Sequence, residues 1–127
     1  MAQENKEVLF IEDDPDQMFL YKAAFDLYQI PNIMANGGQI GIDLAKKHHP
    51  KVIVLDLVME GVDGEEVLKQ LKAEPTTKNI PVIVFTNLDK KAVKERLMAL
   101  GATEFWGKTE LMPTALANKV KEYLESN

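Results

Sequence analysis

The sequence predicts an α/β fold, a five-stranded parallel sheet with helices on both faces. Three observations carry that prediction. Five short apolar runs alternate with five segments whose apolar residues recur at helical spacing. That alternation is the signature of strand–helix–strand units joined by right-handed crossovers. The middle run, Val52-Ile53-Val54-Leu55, is aliphatic without a break between Pro50 and Asp56 save Lys51, which fits a central strand buried on both faces.

Taken in order, Glu7 to Ile11 reads as the first strand and runs into Glu12-Asp13-Asp14-Pro15-Asp16. Asp14 before Pro15, with Gln17 three residues on, predicts an N-cap, a first helical turn and a capping box. Asp16 suits the positive end of the same helix. Met18, Leu20, Tyr21, Ala24, Phe25 and Tyr28 give the first helix its apolar spacing, and Pro31 is expected to end it. Ile33-Met34-Ala35 is a short second strand, closed by the turn signal Asn36-Gly37-Gly38. Ile40, Ile42, Leu44 and Ala45 mark a second helix ending before Pro50. His48 and His49 lie at its end, where adjacent helical residues do not face one site, so a solvated helix end is expected rather than a metal pair.

After the central strand comes a loop from Leu57 to Gly64. Asp63 with Glu66 predicts a second capping box, opening a helix through Val67, Leu68 and Leu71 that Pro75 stops. Pro81 to Phe85 is a fourth apolar strand ending in Thr86-Asn87. Asp89 is expected to cap a helix bearing Val93, Leu97, Met98 and Leu100, closed by Gly101. Thr103 to Gly107 is a shorter fifth strand leading to Lys108. Pro113 fits the first turn of a last helix carrying Leu116, Val120 and Leu124.

The 127 residues suit one domain, spanning 1–127, of a size that buries a core without staples. The chain has no cysteine, which excludes disulfides and thiolate metal sites and is compatible with a cytoplasmic location. No apolar stretch approaches the roughly 20 residues of a membrane helix. Fifteen basic residues against twenty acidic give a net charge of −5, with no clustered cationic face in the sequence, so direct nucleic-acid binding is not expected.

Function is sought where the strands end, because open α/β sheets bind their ligands at the carboxyl edge. The first strand delivers Glu12 and Asp13, the third Asp56, the fourth Thr86 and Asn87, the fifth Lys108. Carboxylates of this kind favour a hard cation such as Mg²⁺. A lysine and a hydroxyl beside them suit the oxygens of a phosphoryl group, and one carboxylate can act as nucleophile. The expected chemistry is Mg²⁺-dependent phosphoryl transfer to Asp56.

At this point the chain resembles the receiver domain of two-component response regulators over nearly its whole length. The blocks V-L-F-I-E-D-D at 8–14, V-I-V-L-D-L-V-M-E-G-V-D-G at 52–64, P-V-I-V-F-T-N at 81–87 and G-A-T-E-F-W-G-K at 101–108 carry the resemblance, all in order. It implies a flavodoxin-like sheet in the strand order 2-1-3-4-5. It also implies that Asp56 is the phospho-acceptor, Asp13 a direct metal ligand, Glu12 the holder of a metal-bound water and the Val58 carbonyl a further ligand. Thr86 would be the switch hydroxyl, Lys108 the phosphate partner, and Phe105 the aromatic that moves with the threonine. Implied partners are a histidine kinase or histidine phosphotransfer protein and a downstream protein, with a homodimer allowed through the last helix–strand–helix face.

The sequence departs from the family pattern at Glu60, where receivers usually have proline, at Asn87, where the residue is usually small, and at Thr109, where a cis proline usually follows the lysine. The Lys108-Thr109 bond is then either cis, at about 3 kcal/mol above trans, or trans with Lys108 reaching differently. Apolar Val58 and Leu88 occupy positions that tune phosphoryl lifetime in the family, which implies slow self-dephosphorylation. A haloacid-dehalogenase-like phosphatase would need a second aspartate at position 58, where Val58 stands. A non-phosphorylated interaction module on the same fold is the other alternative, and a flavodoxin relative is disfavoured by the acids that follow the first strand.

Overall fold

The computed structural model describes residues 7–59, 63–87, 91–108 and 111–126. Its elements are β1 (Val8–Ile11), α1 (Pro15–Leu27), β2 (Asn32–Ala35), α2 (Gly38–His48), β3 (Val52–Leu55), α3 (Gly64–Ala73), β4 (Val82–Thr86), α4 (Lys91–Ala99), β5 (Glu104–Gly107) and α5 (Pro113–Ser126). All strand pairs are parallel, and the sheet order is β2-β1-β3-β4-β5, as the resemblance implied.

Strand parity divides the core cleanly. Leu9, Ile11, Ile53, Leu55, Val82 and Val84 meet α2, α3 and α4 through Ile42, Ala45, Val67, Leu68, Leu71 and Leu97. Val8, Phe10, Val52, Val54, Ile83 and Phe85 meet α1 and α5 through Tyr21, Ala24, Phe25, Leu116, Ala117 and Val120. The residues of β1, β3 and β4 are all buried, which is why those strands read as apolar runs and not as alternating ones. Each such side chain contributes about 1.5–3 kcal/mol of transfer free energy.

Several local expectations change. Leu20 and Ile40 are half exposed, because the core stripes of their helices are set by Tyr21-Ala24-Phe25 and by Ile42-Ala45. Helix α1 ends at Tyr28 and Gln29, well before Pro31; Gln29 has φ 59°, a left-handed stop by a non-glycine residue. Gly38 already belongs to α2, with Gly37 as its N-cap. His48 and His49 are exposed, and His49 is the left-handed C-cap of α2 at φ 49°, in keeping with a solvated helix end. Thr86 is the last residue of β4, not the first beyond it. The expectations placed on Glu60, Leu88, Asp89 and Thr109, including the Lys108-Thr109 bond, lie outside the described residues.

Candidate functional site

Register brings the site together. Ile11 pairs with Leu55, and the Asp56 N–H donates to the Ile11 carbonyl at 3.1 Å, so Glu12 and Asp56 leave adjacent strands side by side. Thr86 pairs with Gly107, which sets Lys108 beside the end of β4. The result is a cleft of about 390 Å³ lined by Glu12, Asp13, Asp14, Gln17, Asp56, Val58, Thr86, Asn87 and Lys108.

Its floor is dry. Glu12 is 2% exposed, Asp56 4% and Thr86 0%. Lys108 reaches across both carboxylates, donating to Glu12 Oε1 at 2.5 Å and to Asp56 Oδ2 at 3.2 Å. The other oxygens have main-chain donors: Asp14 N–H to Glu12 Oε2 at 3.3 Å, and Val58 N–H to Asp56 Oδ1 at 3.3 Å. Asp13 stands half-buried at the lip. Burial pushes the Glu12 carboxyl up, and the charge of Asp56 adds to this, while the Lys108 hydrogen bond holds it back. Burial alone would lower the Lys108 ammonium, but the Glu12 and Asp56 carboxylates outweigh it and raise it.

The local sequence explains how these groups are held. Asp14 caps α1, its carboxylate accepting from Asp16 N–H at 2.9 Å and Gln17 N–H at 3.5 Å. The Asp14 N–H, which a capping box would give to Gln17, goes to Glu12 instead, so the cap also fixes a site carboxylate. Asp63 caps α3 through Glu65 N–H at 3.0 Å. Gly64 follows it under Asp56 and Leu57. A Cβ at Gly64 would lie 2.5 Å from Leu57 Cα and 2.7 Å from the Asp56 carbonyl oxygen, so only glycine lets α3 start so close to the acceptor loop.

The predicted residues Glu12, Asp13, Asp56, Val58, Thr86 and Lys108 all line one cleft. Val58 adds an exposed side chain at the rim. Phe105 does not line it; it is half-buried against the α2–α3–α4 side of the core. Sequence reasoning passed over Gly64, whose packing could have been suspected from its place just after a cap, and over Phe85, which lies beneath Lys108 with its ring centroid 5.9 Å from the ammonium.

Comparison with known proteins bears on the family and the fold. The profile of the response regulator receiver domain matches residues 8–121. The polar-differentiation response regulator DivK of Brucella ovis is 31% identical over 119 residues, covering 94% of this chain and 96% of that protein. The receiver domain of the Francisella response regulator 1452 superposes with a TM-score of 0.84 at 27% identity, covering 97% of this chain and 100% of that one. The signal receiver domain of a DNA-binding response regulator from Colwellia psychrerythraea gives 0.81 at 30% identity, covering 94% and 98%.

Proposed function

The chain belongs to the response regulator receiver domain family, and from that premise we propose that Asp56 accepts a phosphoryl group from a phosphohistidine and thereby switches a protein-interaction surface. The observation that carries the reading is a buried Asp56 carboxylate, open to one cleft and held between the Val58 N–H and the Lys108 ammonium. Asp56 is the nucleophile: its oxygen bonds to phosphorus as the bond to the donor's imidazole nitrogen breaks. Lys108 already bonds the Asp56 carboxylate, so a short shift of its ammonium away from Glu12 lets it take up the charge of the phosphoryl oxygens.

The donor set suits Mg²⁺. The cleft is lined by four carboxylates, those of Glu12, Asp13, Asp14 and Asp56, against the ammonium of Lys108. Among the described residues no three acidic or histidine side chains form a ready-made cage; Mg²⁺ commonly takes one or two carboxylates and keeps several waters. Asp13 and Asp56 would hold it, helped by Glu12 and the Val58 carbonyl. When bound, it supplies charge neutralisation for the transferring oxygens.

The doubled charge on phospho-Asp56 then draws Lys108 and the Thr86 hydroxyl toward it, and Phe105, packed beside α4, follows. The equilibrium between two packings of the α4–β5–α5 face shifts accordingly. The phosphodonor is a histidine kinase or histidine phosphotransfer protein, the reader of the switched face is a second protein, and the compartment is the cytoplasm. Intact mass after incubation with acetyl phosphate and Mg²⁺ tests this. One phosphoryl adduct on the wild type, absent in Asp56→Asn and in chelator, is expected. No adduct on the wild type would overturn the proposal.

A further inference from the structure

Lys108 poses a positioning problem. Its side chain is only 12% exposed, yet it carries a flexible four-carbon stem and a full charge. Glu12 and Asp56 hold the ammonium by hydrogen bonds. A further contact is the ring of Phe85, with its centroid 5.9 Å from Nζ. Phe85 is fully buried and is the last residue before the switch position Thr86. The rest of β4 before it, Val82-Ile83-Val84, is aliphatic. An aliphatic residue would fill the same core volume but offer no negative ring face to a cation.

The ring is itself fixed. Tyr21, on α1, meets Phe85 edge-on at 5.4 Å and 86°. Phe10, on β1, lies 6.4 Å from Phe85 and 5.1 Å from Tyr21, and Phe25 closes the cluster on Phe10 at 6.0 Å and 71°. All four rings are buried. Phe85 thus stands on a packed aromatic layer with little freedom to turn.

We propose that Phe85, braced by Tyr21 and Phe10, is a positioning residue that holds the Lys108 ammonium in the cleft by a cation–π contact. A ring face is a broad, weakly directional partner. The ammonium keeps this contact as it passes between Glu12, Asp56 and an oxygen of the incoming phosphoryl group, so it is never released into solvent. The functional consequence rests on the phosphoryl-transfer reading of the cleft; the contact itself does not.

The test replaces Phe85 by mono-, di- and trifluorinated phenylalanine, which keep ring shape while draining its negative face, and separately by leucine. Two quantities are read. One is the chemical shift of the Lys108 ε-methylene protons in the metal-free protein, where ring current gives an upfield displacement. The other is the rate of acetyl-phosphate adduct formation. The displacement is expected to vanish in Phe85→Leu, and the rate to fall stepwise with each fluorine, reaching roughly a fivefold loss at the end of the series. A rate that is flat across the fluorinated series, or a Lys108 shift unchanged in Phe85→Leu, overturns the inference. If the wild type takes no phosphoryl group, the transfer reading fails by itself and the methylene shift alone decides whether Phe85 holds Lys108.

Discussion

Replacing Lys108 by methionine keeps the aliphatic bulk over Phe85 and removes the cation shared by Glu12 and Asp56. Both carboxylates are nearly inaccessible to water, at 2% and 4% exposure. Deleting one partner of a buried ion pair costs about 3–5 kcal/mol, because the remaining charge stays desolvated. The cleft is open above the pair, so the low end applies, about 3 kcal/mol at neutral pH. For a chain of 127 residues that is a fall in Tm of about 12 °C. The sign of the pH dependence follows from Glu12. Burial already raises its carboxyl above the ordinary value of 4.5, and Lys108 is what opposes the rise. Without Lys108 it rises further. The folded state then binds a proton more tightly than the unfolded state, so stability is gained as pH falls through the raised folded value toward 4.5. The deficit of the variant should therefore shrink when the pH is lowered from neutrality to about 5. Urea unfolding in chelator, followed by fluorescence of Trp106, the single tryptophan, measures it at both pH values. A deficit below about 1 kcal/mol at neutral pH, the scale of an exposed pair, or one that is the same at both pH values, would refute the reasoning.

Lys108 itself titrates with a folded value above 10.5, so its stabilising contribution is complete below that pH and lost as pH rises through the folded value; wild type should lose stability there more steeply than Lys108→Met in the same unfolding assay. Gly64→Ala forces a Cβ against the Leu57 Cα and the Asp56 carbonyl, and should cost about 1–3 kcal/mol by overpacking while slowing adduct formation on Asp56; an unaltered rate would show that the acceptor loop tolerates displacement. Asp14→Ala removes the cap of α1 and should lower stability by about 1 kcal/mol, read by thermal unfolding. Val58→Asn puts an amide at the exposed rim of the cleft, where it can orient a water, and should speed hydrolysis of the phosphoryl adduct; a lifetime equal to that of the wild type would remove Val58 from the account.

How much was legible depended on whether the signal was local. Val52 to Leu55 was readable because a strand covered on both faces cannot hide polar residues among its apolar ones. Asp14-Pro15 and Asp63-Gly64 marked helix starts because capping is settled within a few residues. The helix ends at Gln29 and His49 were not readable, since both are left-handed stops made by residues other than glycine. Leu20 and Ile40 misled because apolar spacing gives the width of a stripe but not its centre. Glu12, Asp13, Asp56, Thr86 and Lys108 could be collected at one edge because strand ends in a parallel sheet share it. The partners they choose there could not be inferred. That Lys108 spans Glu12 and Asp56, and that Phe85 lies under Lys108, depends on the β1–β3 and β4–β5 registers, which no single stretch of sequence encodes.

Charge explains why so polar a cleft can sit on so apolar a sheet. Two like charges 4 Å apart repel by about 4 kcal/mol at the effective dielectric near a protein surface. Left to themselves, Glu12, Asp13 and Asp56 would spread apart. The strands beneath them do not allow it, because Ile11 and Leu55 are paired and fully buried. The repulsion is therefore retained; the Asp14 and Val58 N–H groups and the Lys108 ammonium relieve part of it. On the proposed reading both events at the site act on that balance. A divalent cation relieves the excess, and phosphorylation of Asp56 restores part of it by adding negative charge. Each event changes what competes for the Lys108 ammonium. Glu12 accepts from it more closely than Asp56 does in the unphosphorylated structure. On that reading, transfer of the ammonium from Glu12 to the phosphoryl oxygens is the local change by which the chemistry at Asp56 would be communicated to β5, the strand that carries Lys108 at its end.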